Sequence, residues 1–119
     1  ADEICIMSAT GTRLDHSTGN ILLLYNLLKR NIHGWLEDAN NRVYLTQGRL
    51  ELKRLDNWKV SLIPLSPEVS GVTTMGLQYP LMDDTLELGS CRGISNEFVS
   101  DTAVISIEKG LLLVILSRG

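Results

Sequence analysis

The stretch of sequence best suited to chemistry spans residues 11–16 and reads Gly-Thr-Arg-Leu-Asp-His. It lies between an apolar run and a helical pattern, and anions bind readily where a strand passes into the N-terminus of a helix. Arg13 offers paired donors that suit phosphate, and Asp15 can hold a divalent cation. The alternative is that Asp15 caps the helix, Arg13 pairs with it and His16 is solvated. Spacing alone leaves both open, because Arg-x-Asp is short and common.

A second candidate is the polar segment 89–97, which reads Gly-Ser-Cys-Arg-Gly-Ile-Ser-Asn-Glu. It carries more hydrogen-bonding groups than a turn requires, and such loops on a rigid β scaffold often bind ligands. The alternative is a β-bulge or crossover whose Ser and Asn side chains bond their own backbone. Tyr79 precedes Pro80 and should end an extended segment. Its ring can stack on a heterocycle, or it can lie half-buried with its hydroxyl in water.

Other catalytic signatures are missing from the sequence. Neither His16 nor His33 has a serine, a cysteine or a second ligand at a useful spacing, and the sequence contains no Walker loop. Cys5 and Cys91 lie in apolar patterns without metal-type spacing, so we expect two buried thiols in a reducing compartment. The sequence therefore predicts no hydrolase triad and no zinc site.

Composition and charge exclude several classes of protein. The chain has 119 residues, of which 44% are hydrophobic and 21% are charged. This hydrophobic content is enough to form a core and argues against a wholly disordered chain. A formal charge of −3 argues against a nucleic-acid or membrane surface built on bulk charge. The longest apolar runs, residues 21–25 and 111–116, are far shorter than the roughly 20 residues that span a bilayer. We therefore expect a cytoplasmic protein with no nucleic-acid or membrane partner.

The first thirty-three residues predict part of an α/β layer. Residues 4–7 form a continuous apolar run, typical of a strand buried on both faces of a parallel sheet. A helix is predicted from about Asp15 to Arg30, with Asp15 or Ser17 as its N-cap. Because one strand and one helix cannot complete a parallel sheet, residues 1–33 are interpreted as the terminal unit of a truncated α/β domain. The alternative is an edge strand and helix packed on the later strands.

From residue 34 onward the pattern changes to short strands separated by turn residues. Residues 35–37 and 42–45 predict a hairpin across the turn formers between them. The later predicted strands are residues 50–53, 59–63, 71–75, 76–79, 85–88, 103–107 and 111–115. Residues 111–116 have lost the alternation, which predicts a central strand covered on both faces. The predicted fold class is mainly β, a jelly-roll-like antiparallel β-sandwich over residues 34–119 preceded by the α/β unit.

Taken together, these stretches resemble the thiamine diphosphokinase (thiamine pyrophosphokinase) family of bacterial type. The matching pieces follow the family order over nearly the whole chain and comprise residues 1–16, 20–21, 60–66, 71–81, 85–90, 92–98 and 110–115. The Arg-Leu-Asp-His and Gly-Ile-Ser-Asn-Glu-Phe pieces are specific when they occur together.

The resemblance implies an enzyme with a nucleotide-binding α/β domain followed by a β-sandwich. It implies transfer of the terminal diphosphate of ATP to the hydroxyl of thiamine, with Mg²⁺, to give thiamine diphosphate and AMP. It also implies a homodimer, with thiamine between the nucleotide domain of one subunit and the sandwich of the other. The family's aspartate-rich motifs precede the strand at Ile4, so we expect the 119-residue chain alone to be inactive. The alternatives are a non-catalytic small-ligand-binding domain or a dimerisation domain.

The resemblance assigns the phosphate and metal roles to residues 11–16. Arg13 would contact the ATP polyphosphate, and Asp15 would help to organise the metal and phosphate cluster as a Mg²⁺ ligand. These two residues would be catalytic, and His16 would lie beside the ATP phosphates. Thr12 stands where many relatives have a second glycine, so its side chain would crowd the approach of backbone to phosphate.

The resemblance assigns thiamine recognition to the sandwich. Ser95 and Asn96 would donate or accept hydrogen bonds at the thiamine pyrimidine. Tyr79 occupies a position where family members carry an aromatic residue beside the thiamine rings. The expected site therefore combines Arg13 and Asp15 from one part of the fold with three residues from another.

Overall fold

The structure, a computed structural model, describes residues 3–7 and 14–118, with side chains for all of these except Met7 and residues 14–17. The elements are β1 (Glu3–Met7), α1 (Leu14–Lys29), β2 (His33–Glu37), β3 (Asn41–Thr46), β4 (Arg49–Lys53), β5 (Lys59–Pro64), β6 (Glu68–Met75), β7 (Asp84–Glu87), β8 (Asn96–Glu97), β9 (Thr102–Ser106) and β10 (Leu112–Ser117).

Two sheets form the body of the fold. The larger has six strands in the order β1-β2-β3-β10-β5-β8, and the smaller has four in the order β4-β9-β6-β7. Apart from the parallel pair β1–β2, the strand pairs are antiparallel. The prediction of a mainly β, antiparallel sandwich is therefore confirmed.

Two hydrophobic clusters lie on opposite faces of the six-stranded sheet. The cluster between the sheets includes Val60, Ile105 and Val114, each with essentially no exposed surface. The other lies between the sheet and helix α1 and includes Leu24 and Leu113. Strand β10 contributes to both, because successive side chains of a strand point to opposite faces. The prediction of a central strand covered on both faces is confirmed.

The N-terminal unit continues the larger sheet. β1 pairs with β2 from Glu3↔His33 to Met7↔Glu37, and α1 packs on β2 and β3. Glu3, Ile4 and Cys5 are exposed, so the expectation of a strand buried on both faces is wrong for these residues. The reason is that β1 lies at the edge of the sheet, where a strand has a neighbour on one side. The arrangement is that of an edge strand and helix packed on β2 and β3, and the domain division at residue 33 stays a prediction.

Helix α1 agrees with the predicted span to within about a residue. Asp15 and Ser17 lie inside it, so neither is the residue that precedes the helix, as the N-cap prediction required. Its side chains Leu22, Leu23 and Tyr25 are exposed, to 62%, 43% and 39%. In the part of the chain that the structure describes, no helix has the length and apolar character needed to cross a membrane.

Two further expectations are wrong. Cys5 and Cys91 are both exposed rather than buried, because Cys5 is on the edge strand and Cys91 lies in the loop between β7 and β8. Residues 76–79 do not form a regular strand, since β6 ends at Met75 and the chain turns at Gly76. They belong to a loop, residues 76–83, that connects β6 to β7 and is called the Tyr79 loop below.

Candidate functional site

The Tyr79 loop begins as a short ladder against the segment that contains β8. The Val99 N–H donates to the Gly76 carbonyl at 2.9 Å, Leu77 forms a bridge with Phe98, and the Gln78 N–H donates to the Glu97 carbonyl at 2.9 Å. Leu77 and Phe98 are buried, which anchors this ladder in the sandwich core. The two segments that carry the predicted thiamine residues are therefore brought together although about twenty residues of chain separate them.

The side chain of Asn96 extends this ladder by one more step. Its Oδ1 accepts the Tyr79 N–H at 3.0 Å, and its Nδ2 donates to the Tyr79 carbonyl at 2.8 Å. The same Oδ1 also accepts the Glu97 N–H at 2.9 Å. Asn96 is 7% exposed, so these bonds satisfy a buried amide that would otherwise be costly. The alternative in which Ser and Asn side chains bond their own backbone is thus met in part, by Asn96 with Glu97 and by Ser90, whose Oγ accepts the Arg92 N–H at 3.2 Å, but the Asn96 amide also bonds outside its segment.

Tyr79 has a fixed backbone and an open ring. Both of its backbone polar groups bond to Asn96, while the residue as a whole is 65% exposed. This exposure excludes the half-buried packing role that the sequence had left as an alternative. An aromatic ring held at the surface on a rigid backbone can stack on a flat heterocycle with little further loss of conformational freedom.

The far side of the Tyr79 loop is held by two threonines of β6. The Leu81 N–H donates to Thr74 Oγ1 at 2.9 Å, and the Asp83 N–H donates to Thr73 Oγ1 at 3.0 Å. The sequence analysis did not place either residue at the site. Adjacent threonines in a strand are ordinary β formers, so no local signal distinguishes them.

Ser95 lies next to Asn96 in a rare backbone conformation. Its φ is 59°, in the left-handed region that non-glycine residues seldom adopt, and such residues concentrate at functional sites. The Ser95 N–H donates to Ser61 Oγ at 3.0 Å, which fixes this conformation against β5. Ser95 is exposed, so it is accessible to a ligand. Ser61 is a further site residue that the sequence analysis missed.

Charged groups flank this cluster. Glu97 forms an ion pair with Lys59 on the neighbouring strand β5, and both side chains are about half-exposed. Beside Glu97 a small cavity of about 160 Å³ is lined by Arg54, Trp58 and Phe98 among others. Exposed pairs of this kind contribute little to stability, so they mainly set the local charge pattern.

The predicted phosphate-binding residues belong to the segment between β1 and the first turn of α1. Arg13 and Thr12 fall outside the described residues, and Asp15 and His16 lie in the first turn of α1 with side chains that are likewise outside the description. The adjoining end of the β1–β2 pair carries Glu37, which pairs with Arg42 at 3.5 Å. Asp38 accepts the N–H groups of two following residues at 2.8 Å, so it stabilises its own turn.

Cys5 is not an activated thiol, and the described residues contain no metal-ligand cluster. The pKa of Cys5 is raised, mainly by partial desolvation of its largely exposed thiol and secondarily by the nearby charge of Glu37, so the unreactive thiol form prevails near neutral pH. The pKa of Tyr44, on the same face, is also raised by burial, with Arg42 acting in the opposite direction. Among residues 3–7 and 14–118 there is no group of three or more His, Cys, Asp or Glu that could hold a metal ion.

The end of β1 and Asn96 lie on one row of the six-stranded sheet. The register of paired residues across the sheet runs Met7, Glu37, Arg42, Leu116, Val60 and Asn96. β1 and β8 are the opposite edges of this sheet. Five strand spacings of about 4.8 Å therefore separate the end of β1 from Asn96 by about 24 Å.

Comparison with known proteins gives the family. The model of the thiamin pyrophosphokinase vitamin B1 binding domain matches residues 49–112, which include Tyr79, Ser95 and Asn96. Thiamine pyrophosphokinase from Bacillus subtilis (strain 168) is 37% identical over 118 residues, covering 98% of this chain and 55% of that protein.

Solved structures agree. The crystal structure of thiamine pyrophosphokinase from Bacillus subtilis has a TM-score of 0.91 at 36% identity and covers 99% of this chain and 56% of its own. That from Geobacillus thermodenitrificans has a TM-score of 0.86 at 32% identity, with coverages of 100% and 55%. The chain thus spans about half the length of these relatives. By sequence, by the matched domain and by fold, this chain belongs to the thiamine pyrophosphokinase family.

Proposed function

We propose that this chain is the C-terminal portion of a thiamine diphosphokinase, which transfers the diphosphate of ATP to the hydroxyl of thiamine and releases AMP. The observation that carries the proposal is the exposed Tyr79, whose backbone is bonded to the side chain of Asn96, within the matched vitamin B1 binding domain. Thiamine has two flat heteroaromatic rings, which suit stacking on tyrosine, and ring nitrogens, which suit a serine hydroxyl.

The thiamine-binding roles follow from this arrangement. Tyr79 supplies the stacking surface, and the Ser95 hydroxyl forms a hydrogen bond with the pyrimidine. The resemblance gives the same role to Asn96, whose amide is buried and bonded to the Tyr79 backbone. The described bonds use one of its two Nδ2 hydrogens.

The phosphate roles are proposed for residues 13–16. Arg13 would bind the ATP polyphosphate with its planar pair of donors, and Asp15 would supply one carboxylate to Mg²⁺ with His16 nearby. The described residues do not make a magnesium site, since they hold no group of three suitable ligands. The remaining ligands would come from the part of the relatives that this chain does not span, so no step is derived through the metal.

A homodimer accounts for the separation of the two halves. Within one chain the end of β1 and Asn96 are about 24 Å apart across the sheet, farther than one thiamine molecule bridges. A two-fold axis would place the β1 edge of one protomer beside the Tyr79 loop of the other and create two equivalent sites. Phosphoryl-group transfer depends mostly on positioning and charge neutralisation, so each site would need both halves.

We expect Tyr79→Ala to weaken thiamine affinity about tenfold, because it removes a stacking surface and its buried area. The KM for ATP should stay the same. Isothermal titration with thiamine and steady-state kinetics of the full-length enzyme measure the two effects. Tyr25→Ala is the matched control, since Tyr25 is an exposed tyrosine on helix α1. Unchanged thiamine affinity in Tyr79→Ala would contradict the proposed binding site.

We expect the 119-residue chain by itself to form no thiamine diphosphate or AMP. Its described residues hold no metal-ligand group, and phosphoryl-group transfer requires neutralisation of the developing charge. Incubation with ATP, Mg²⁺ and thiamine, followed by chromatographic detection of both products, tests this, with the full-length enzyme as control. Product formation at a rate comparable to that of the control would refute the expectation.

A further inference from the structure

The amide of Asn96 occupies a position that a backbone peptide group would normally take. The ladder between residues 76–78 and 97–99 uses main-chain groups on both sides. At the next step Tyr79 presents its N–H and carbonyl, and the partner is the Asn96 side chain, with bonds of 3.0 and 2.8 Å. A primary amide suits this position because it has both a donor and an acceptor, as a peptide unit does.

The chain could not extend the ladder farther in the ordinary way. Tyr79 is followed by Pro80, which has no N–H to donate. Without the Asn96 amide, both backbone groups of Tyr79 would lose their partners at the point where the loop leaves the ladder. Asn96 itself is held by its pairing with Val60 of β5, so it ties the Tyr79 loop to the larger sheet.

We infer that Asn96 is a positioning residue that acts on thiamine binding through Tyr79, by fixing the backbone from which the exposed ring projects. The inference rests on the proposed function and deepens it. The buried amide forms three hydrogen bonds within the protein, two with the Tyr79 backbone and one with the Glu97 N–H. Asn96 is buried, whereas Tyr79 is exposed to a ligand. Asn96 therefore affects the ligand mainly by holding the backbone of Tyr79 in place.

The test is a double-mutant cycle in the full-length enzyme, with thiamine as the probe. Asn96→Ala alone should raise the KM for thiamine about tenfold and leave the KM for ATP unchanged. If Asn96 acts through Tyr79, the double variant Asn96→Ala/Tyr79→Ala should match Tyr79→Ala within about twofold. Asn26→Ala is the control, because Asn26 is an exposed asparagine on helix α1.

Amide hydrogen exchange reports on the loop without any ligand. Asn96→Ala should make residues 76–82 exchange at least about tenfold faster, while the peptides of β10 stay protected. Asn96→Asp is the milder second variant, since a carboxylate keeps the acceptor for the Tyr79 N–H but cannot donate to the Tyr79 carbonyl. It should raise both the exchange rate and the thiamine KM above the wild-type values, because a buried carboxylate faces the Tyr79 carbonyl.

The outcomes separate the inference from the proposed function. Additive losses in the double variant would mean that Asn96 contacts thiamine independently of Tyr79, and they would overturn the inference alone. Unchanged exchange over residues 76–82 in Asn96→Ala would overturn it as well. Failure of the wild-type enzyme to bind thiamine would remove the proposed function, and the inference would fall with it. Faster exchange together with non-additive losses would support the inference.

Discussion

Mixing protomers that carry Arg13→Ala with protomers that carry Tyr79→Ala is expected to restore activity to about a quarter of the wild-type rate. Each variant alone should be strongly impaired at low thiamine concentration. Random pairing of equal amounts makes about half of the dimers mixed, and in a mixed dimer one of the two shared sites has both halves intact. A site built within one chain would gain nothing, because every chain carries one defect.

The physical basis is the layout of the six-stranded sheet. The end of β1, from which the chain continues toward Arg13, and the β8 segment that holds Tyr79 are its opposite edges. Co-expression with two affinity tags and tandem purification isolates the mixed dimers, and the initial rate of AMP release measures their activity. With one of two sites intact, the purified mixed dimers should reach about half of the wild-type rate. Tyr79→Ala mixed with Ser95→Ala is the matched control, since both defects lie in the same half and no intact site can form. Mixed Arg13/Tyr79 dimers no more active than this control would rule out a shared site.

Replacing Gly76 with alanine is expected to destabilise the chain by about 2–4 kcal/mol. Gly76 has a φ of 84°, where a side chain is strained, and its Cβ would lie 2.3 Å from the Thr102 carbonyl oxygen. Thr102 begins β9, so the clash is with the backbone of a strand and not with a flexible side chain. The ladder that positions Tyr79 starts at Gly76, so thiamine affinity should fall together with stability.

Gly89→Ala is the matched control for this substitution. Gly89 has a nearly equal φ of 89°, but nothing lies within 4 Å of its added Cβ. Gly89→Ala should therefore lower the free energy of unfolding by only the cost of the strained backbone conformation, about 1 kcal/mol. Urea denaturation of both variants measures the difference in the free energy of unfolding. If Gly76→Ala loses no more stability than Gly89→Ala, the close approach to Thr102 has no energetic consequence.

Much of the fold could be predicted from local patterns. The β2–β3 hairpin follows from turn formers between two short apolar runs, and the central place of β10 follows from its lost alternation. The exposure of Cys5 could not be predicted in this way. An apolar run reads the same whether its strand has neighbours on one side or on both, and only the sheet order decides which applies.

The sequence by itself determined the family and the residue types of the site, because the pieces around Arg13 and Asn96 carry specific combinations of side chains. Only the tertiary structure decided which groups those residues contact and where they lie in the fold. It pairs the Asn96 amide with the backbone of Tyr79, seventeen positions earlier, and it separates Asn96 from the end of β1 by the width of a sheet. Periodicity and turn chemistry act over a few residues, whereas such contacts depend on register and strand order, which the whole chain sets.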